Sequence, residues 1–269
     1  LSVFNHKLGP FRVPDMRALV PVIIMWAVAL LVIVFEKDLG SALVLFFVFV
    51  TMLYVATGKH AYIVISLLMV SVGFVFVYFL FSHVQVRVDT WLNPFADPTN
   101  TGYQLVQSIF SIADGGLFGV GIGNSVQKHQ WLPYAENDFI FAVVCEELGF
   151  IGAIALIVLF GALIVQGIAI ALNAPDFFGS LLGIGIMAQV AWQVFCHIGV
   201  ATALLPNTGI SLPFFSYGGT SLLILLGEMG IMLSISRAGN GRREARRQRE
   251  QEEMENRLRQ KSTYRRRRV

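Results

Sequence analysis

Charged side chains are scarce in this chain. They make up 14% of its residues, whereas hydrophobic residues make up 55%. The mean hydropathy is +0.67, and a water-soluble domain of this composition would be covered with apolar surface. The shortage of charge therefore excludes a soluble globular protein. Together with the long apolar runs, it predicts an all-α fold, a polytopic bundle of transmembrane helices.

Cysteine is nearly absent, and no signal peptide is visible. The two cysteines, Cys145 and Cys196, both lie in apolar segments, where a thiol behaves as a small hydrophobic group. They therefore indicate nothing about the redox compartment. The chain starts at Leu1 rather than Met, and no short apolar segment with a small-residue cleavage site precedes the first long apolar run. These features predict a truncated start.

Positive charge is concentrated at one end of the chain. The range 237–269 holds twelve Arg and one Lys against five Glu, a net charge of +8, so residues 1–236 carry −5 of the total of +3. The low complexity of residues 237–269 favours disorder or a solvated charged helix. We interpret this tail as a topology signal and not as a nucleic-acid site. Contact with anionic lipid or with a cytoplasmic partner is the alternative.

Apolar runs of sufficient length define about six membrane spans, since a helix needs about 20 residues to cross a core of about 30 Å. Residues 82–138 are too polar for a span, although the apolar pieces 105–112 and 117–122 suit the interface or a partial insertion. A cytoplasmic tail places this large loop outside, so we predict a transmembrane domain at 1–236 and a basic cytoplasmic tail at 237–269. The predicted spans are 18–35, 39–57, 61–81, 139–172, 177–205 and 220–235.

Polar residues interrupt the predicted spans at a few positions. A charge at the centre of a spanning helix costs about 2.5 kcal/mol or more, so each needs a partner or a function. Two interpretations stay open, pairing with other helices and a substrate or proton pathway. His197 and Gln193 follow Gln189 at intervals of four residues, which predicts a polar stripe facing the bundle interior. The pathway candidates are Glu146, Glu147, Gln193, His197 and Glu228.

Asp138 differs from these residues because it immediately precedes the fourth apolar run. One interpretation is an N-cap, a carboxylate that accepts hydrogen bonds from the first N–H groups of the helix. The other is a functional carboxylate at the membrane surface. There it acts as a general base or holds a divalent cation against a phosphate.

Five glycines lie close together in the large loop, between residues 115 and 123. No strand leads into this cluster and no GKS or GKT sequence follows it, which disfavours a nucleotide-binding loop. The cluster instead predicts a backbone that turns sharply or approaches a neighbour closely.

Several motifs, taken in order, carry a resemblance to a known family. The chain contains WLNPFADP, GYQLVQS, GGLFGVGIGNSVQK and NDFIFAVVCEELGFIG between residues 89 and 152, EKDLGSALV at 36–44 and LPNTGISLPFFSYGGTSLL at 205–223. These segments resemble the SEDS family of bacterial shape, elongation, division and sporulation proteins, and most closely its division and sporulation branch. The match corresponds to the last six of the family's about ten spans.

The resemblance implies a peptidoglycan glycosyltransferase of the bacterial cytoplasmic membrane. Members polymerise lipid II, an undecaprenyl-pyrophosphate-linked disaccharide pentapeptide, into β-1,4-linked strands on the outer face. They work with a class B penicillin-binding protein and other division or elongation proteins. The family's catalytic aspartate, in a DFIF-type sequence, corresponds to Asp138, with Mg²⁺ or Mn²⁺ as the expected cofactor and Asp138 as its ligand. The expected substrate contacts are Arg87, Gln104, Gln127, Lys128, Ser216 and Tyr217, with Lys128 facing the pyrophosphate.

The chain departs from the family pattern in two ways. Residues 133–137 differ from the PEAHT-like sequence that precedes the aspartate in other members, and the first four spans are not matched. The activity of this chain alone is therefore an open question. Two other functions also stay open. A lipid II flippase would use the buried glutamates as a pathway, and a non-catalytic scaffold for the penicillin-binding protein would not need Asp138.

Overall fold

A computed structural model gives the fold of the protein, described for residues 5–6, 13–14, 16–36, 38–133 and 135–266. Most of residues 1–17, which precede the first predicted span, and residues 267–269 of the tail lie outside these ranges. The described chain is helical apart from a short antiparallel ladder and connecting turns. The elements are β1 (Asn5–His6), β2 (Val13–Pro14), α1 (Met16–Phe35), α2 (Leu39–Thr57), α3 (His60–Leu80), α4 (Ser82–Leu92), a 3₁₀ turn (Pro94–Ala96), α5 (Tyr103–Gly115), α6 (Val126–Gln130), α7 (Ile140–Leu172), α8 (Phe177–Ala201) and α9 (Gly219–Arg266).

Five helices are long and apolar enough to cross a membrane: α2, α3, α7, α8 and the 219–242 part of α9. The first predicted span forms α1, whose described apolar part, 20–35, is shorter than these five. The helical, multi-pass architecture predicted from hydropathy is therefore confirmed. In the large predicted loop, the polar residues fold into α4, α5 and α6 rather than into an irregular segment.

The core lies where α7 packs along α8, with side chains of α9 closing one side. α2 joins this pair through Trp192 of α8, which stacks on Phe47 with ring centroids 4.2 Å apart and donates from Nε1 to Thr51 Oγ1 at 3.3 Å. α1 is attached in turn to α2, since Trp26 stacks on Phe49 at 4.5 Å. Aromatic rings thus link the outer helices to the central pair.

Helix α7 is broken at Gly149, where the sequence predicted one uninterrupted run. Gly149 has φ 68° and ψ −171°, so the helical hydrogen bonds across it are lost. The loop at 116–121 replaces them. Two of its N–H groups donate to the carbonyls of Glu146 and Glu147, at 2.9 and 3.0 Å, and its carbonyls accept from Phe150 and Ile151, at 2.9 and 3.2 Å. Non-helical backbone beside a membrane span is stable only when its polar groups are paired in this way.

The close approach of this loop to α7 explains the glycine cluster. A Cβ on Gly115 would lie 2.0 Å from the Cys145 carbonyl oxygen, and one on Gly119 would lie 2.2 Å from the Glu147 oxygen. Both distances are far shorter than a van der Waals contact. The predicted sharp turn and close approach are confirmed.

Gly149→Ala is expected to lower the free energy of unfolding by about 2–3 kcal/mol, because Ala is strained at positive φ. The new Cβ would also lie 2.3 Å from the Gly119 nitrogen. Gly161→Ala is the matched control, since Gly161 lies in the same helix with open space around it. Thermal unfolding in detergent measures both, and a Gly149→Ala protein that melts with the wild type would contradict the described break.

The basic tail continues the last span as a helix, because α9 extends from Gly219 to Arg266. This agrees with the charged-helix interpretation of the tail. The predicted boundary at residue 236 lies inside α9, and the division into a membrane domain and a tail stays a prediction.

Candidate active site

Asp138 lies in the short connection between α6 and α7 and is half-buried. It does not cap α7, because the helix begins two residues later and its N-cap position is Phe139, with no side-chain cap. The structure records no hydrogen bond to the Asp138 carboxylate among the residues it describes. Burial raises the pKa of this carboxyl above its ordinary value, and the positive charge of Arg87 opposes that rise. Among the residues that the structure describes, Asp138 is therefore a carboxylate without a hydrogen-bonding partner, under the electrostatic influence of Arg87.

The backbone on either side of Asp138 is held firmly. Before it, Ser216 Oγ donates to the Asn137 carbonyl at 2.6 Å, and the Tyr217 N–H donates to the Glu136 carbonyl at 2.9 Å. After it, the Phe139 ring is fully buried in a small apolar cluster with Leu132, Ala135, Val143 and Val200. Two connections that are far apart in sequence, 131–139 and 206–218, thus meet at Asp138.

Arg87 reaches this site from α4. Its guanidinium donates to the Asn207 carbonyl at 3.2 Å, and the Asn207 side chain donates to Gln104 Oε1 of α5 at 3.3 Å. Trp91, one turn after Arg87, donates from Nε1 to the Ala203 carbonyl at 3.0 Å. Two of the predicted substrate contacts, Arg87 and Gln104, are therefore joined through the 206–218 connection, while Arg87 stays exposed.

Glu146 is completely buried and accepts four hydrogen bonds. Its Oε1 accepts from the N–H groups of Val126 and Gln127, at 2.8 and 3.3 Å, and its Oε2 from Ser111 and Ser125, at 2.8 and 2.6 Å. Ser125 is also the N-cap of α6, accepting from the Lys128 N–H at 3.0 Å. Of the two interpretations of Glu146, the structure therefore supports pairing. The carboxyl group holds the first turn of α6, which carries the half-buried Lys128.

The polar stripe of α8 faces the interior, as predicted. His197 is fully buried, and its Nδ1 lies 2.8 Å from the Ile210 carbonyl while its Nε2 accepts from the Phe141 N–H at 3.4 Å. The proton is therefore on Nδ1. Gln189 donates to Glu228 Oε1 of α9 at 3.1 Å.

Some polar atoms of the spans have no hydrogen-bond partner in the described structure. They are Glu147 Oε1, Gln193 Oε1, Glu228 Oε2 and, in the predicted substrate-contact group, Gln127 Oε1. A cavity of ≈ 270 Å³ opens beside Gln189 and Gln193, between α2, α8 and residues 209–211. It is separate from the groups that surround Asp138.

A metal held by protein ligands alone does not fit the described residues. They contain no group of three or more His, Cys, Asp or Glu side chains that could hold an ion. Magnesium sites are commonly completed by substrate phosphates around one or two carboxylates, so Asp138 fits such an ion only as one ligand among several. The divalent-cation expectation stays a prediction, and no step below depends on it.

The hydrogen bonds between these residues were not predicted from the sequence. Ser216 and Tyr217 were predicted as substrate contacts. In the structure, the Ser216 side chain and the Tyr217 backbone N–H are both bonded to the segment before Asp138. The Tyr217 side chain is 79% exposed and free to contact a ligand. Asn207 was not predicted at all. The partners are separated by 79 residues or more along the chain, and no local pattern signals contacts of that range.

Comparison with known proteins gives consistent matches. The model of the FtsW/RodA/SpoVE family, described as a cell cycle protein, matches residues 2–241. The peptidoglycan glycosyltransferase RodA of Mycobacterium tuberculosis is 43% identical over 235 residues, which are 87% of this chain and 50% of that protein. Stage V sporulation protein E of Bacillus subtilis is 42% identical over 237 residues, 88% of this chain and 64% of that protein. These identities do not separate the branches of the family.

The probable peptidoglycan glycosyltransferase FtsW of Geobacter metallireducens is also 42% identical, over 80% of this chain and 58% of its own length. The chain thus spans about half to two thirds of the length of these relatives. Among solved structures, a chain of a peptidoglycan synthase complex matches with a TM-score of 0.69 and 24% identity, over 88% of this chain and 76% of that one. Thermus thermophilus RodA matches with a TM-score of 0.52. At these identities the structural likeness shows the fold.

Proposed function

Because the chain belongs to the FtsW/RodA/SpoVE family, we propose that it is a peptidoglycan glycosyltransferase that polymerises lipid II. The observation that carries the proposal is Asp138, a half-buried carboxylate with no hydrogen bond among the described residues. The carbonyl of the residue before it is held by Ser216, and Asp138 lies within the field of Arg87. A carboxylate that stabilises nothing structurally, in a rigid setting beside a cation, suits a general base.

We propose that the Asp138 site lies on the outer face of the cytoplasmic membrane. The support is the charge distribution, since the Arg-rich end of α9 favours the cytoplasm. With α9 crossing once, its start at Gly219 and the adjoining 206–218 connection are outside. Asp138 is bonded to that connection through Asn137 and Glu136, so it shares the same side, where lipid II would be used.

In the proposed reaction the hydroxyl of an acceptor sugar attacks the anomeric carbon of a donor. Asp138 takes the hydroxyl proton as the new C–O bond forms, and the bond from the anomeric carbon to the diphosphate oxygen breaks with inversion. The polyprenyl diphosphate leaves with the bonding electrons. Arg87 supplies positive charge to that leaving group, and Lys128 is proposed as a second cation. A divalent cation, where used, would add charge on the same diphosphate.

The partners follow from the same proposal. Lipid II is the substrate, and a class B penicillin-binding protein is the proposed cross-linking partner. A solved relative by fold belongs to a peptidoglycan synthase complex that coordinates polymerization and crosslinking. Gln104, Gln127 and Tyr217 are proposed substrate contacts. Of these, Gln127 has a buried side-chain oxygen without a partner among the described residues, and Tyr217 has an exposed ring.

The rate of polymerisation is expected to depend on pH through Asp138 and Arg87. The base must be ionised, and burial raises its pKa, so activity falls on the acid side at a higher pH than for an ordinary aspartate. Arg87→Gln removes the opposing charge and should move this acid limb to still higher pH. Arg87→Lys keeps the charge and is the control. Profiles of kcat/KM that superimpose for Arg87→Gln and wild type would exclude the predicted coupling.

Polymerisation of purified lipid II tests the proposed function. The chain would be assayed alone and joined to the amino-terminal half of the Bacillus subtilis relative, with muramidase-sensitive strands as the readout. Strands are expected in at least one format. The flippase interpretation is favoured if the protein is folded and membrane-inserted, makes no strands, and moves lipid II between leaflets. The scaffold interpretation is favoured if such a protein does neither but binds the penicillin-binding protein.

A further inference from the structure

We propose that Ser216 is a positioning residue, whose hydroxyl fixes the backbone that carries Asp138, and not a substrate contact. The inference rests on the proposed glycosyltransferase function and assigns a role within its site. It starts from the hydrogen bonds of one hydroxyl group, which joins the 206–218 connection to the residue before Asp138.

The single proton of the Ser216 hydroxyl and one of its two acceptor lone pairs are in use. The oxygen accepts from the Leu212 N–H at 2.7 Å, and the single hydroxyl proton is donated to the Asn137 carbonyl at 2.6 Å. A serine hydroxyl has one proton, so none remains for a sugar or phosphate oxygen. Half-burial of Ser216 further limits access. The hydroxyl therefore has no proton to donate to a substrate, and its recorded bonds both hold protein groups.

The hydroxyl also closes the turn that presents it. The carbonyl of Leu212 accepts from the N–H groups of Phe215 and Ser216, at 3.2 and 3.0 Å, and Phe214 adopts φ 65°, an unusual value for a residue with a side chain. Such a conformation persists only where the surrounding structure fixes it. The bond from Leu212 to the hydroxyl is part of that fixation.

Asp138 depends on this turn because its own carboxylate has no hydrogen bond in the part of the chain that the structure describes. The Tyr217 N–H adds a second connection, to the Glu136 carbonyl at 2.9 Å, so two successive peptide groups before Asp138 are held by residues 216 and 217. The connection is fixed to α8 in turn, through the bond between His197 and the Ile210 carbonyl. Since a misplacement of about 1 Å can cost about 100-fold in rate, loosening this clamp should slow the chemical step.

Ser216→Ala tests the proposal, with Ser216→Thr as the conservative variant. Ser221→Ala is the matched control, because the Ser221 hydroxyl donates to the Gly218 carbonyl at 3.0 Å and does not reach the Asp138 segment. In polymerisation by the full chain in its active format, Ser216→Ala should lower kcat by about 10–100-fold with little change in KM. Thr should restore most of the rate, and Ser221→Ala should behave as wild type.

A rise in KM with kcat preserved would make Ser216 a substrate contact and overturn the proposal. So would a lowered melting temperature with unchanged kcat, which indicates a purely structural residue. Amide hydrogen exchange gives a readout that does not need activity. Ser216→Ala should speed exchange of the Tyr217 amide by about tenfold or more. Unchanged exchange of the Tyr217 amide would refute the clamp. If exchange is faster but the wild-type protein makes no glycan strands, the clamp is supported and the proposed glycosyltransferase function is excluded.

Discussion

Replacing Asp138 by Asn is expected to lower the rate of lipid II polymerisation by about 10²–10⁴-fold, the usual contribution of a general base. The amide has the shape of the carboxylate but cannot accept the hydroxyl proton. The carboxylate has no recorded hydrogen bond in the described structure, so the melting temperature should stay close to that of the wild type. Initial rates with purified lipid II and a melting curve in the same detergent measure both quantities.

Glu136→Gln is the matched control for this variant. Glu136 lies two residues earlier, is exposed, and contributes its carbonyl rather than its side chain to the bond with Tyr217. Its loss of charge should therefore leave polymerisation nearly unchanged. Asp138→Asn and Glu136→Gln proteins that both keep the wild-type rate would exclude Asp138 from the reaction.

Replacing Glu146 by Ala is expected to cost about 3–5 kcal/mol of unfolding free energy, as for a buried group removed from its partners. Three donors, from Ser125, Val126 and Gln127, would lose their acceptor inside the protein, while the Ser111 hydroxyl could still donate to the Ala142 carbonyl at 3.1 Å. Glu146→Gln should be milder, at about 1–3 kcal/mol. Its oxygen can still face the two backbone N–H groups, while its NH₂ faces serine hydroxyls that can turn to accept.

The neighbouring Glu147 provides the contrast. It is only half-buried, and its Oε1 has no partner in the described structure, so Glu147→Gln should change stability little. Melting temperatures of the three variants test the difference. A lipid pathway through Glu146 predicts another pattern, a normally stable Glu146→Gln protein with lipid translocation abolished. That result would contradict the structural role given to Glu146.

Hydropathy alone was sufficient to predict five of the six spans, those that form α2, α3, α7, α8 and the first part of α9. The fold depends mainly on the length and polarity of helices, and those are read directly from the order of residues. The break in α7 was not predicted, because Gly149 stands in an apolar run with no local sign of an interruption. Its cause is the 116–121 loop, which supplies the missing hydrogen bonds from about 30 residues earlier.

The candidate site was predicted in its parts but not in its assembly. Asp138 was recognisable from its place before an apolar run and from the family resemblance. Arg87 was recognisable because the large loop, residues 82–138, contains few cations. The function of Ser216 was not recognisable, since the hydroxyl meets Asn137 only when two distant connections fold together. In the same way, residue spacing did not distinguish pairing with other helices from a substrate pathway for Glu146. Three-dimensional contacts were needed to choose between the two interpretations.

A single coupling step tests the central claim most directly. Isotopically distinct lipid II molecules would be mixed with excess protein, wild type or Asp138→Asn, and the products counted by mass spectrometry. The account predicts one lipid-linked tetrasaccharide for each polyprenyl diphosphate released by the wild type, and none from the variant on that timescale. Two results would contradict this claim. One is unchanged lipid II recovered from folded, membrane-inserted wild type in its active format, and the other is equal coupling by the two proteins.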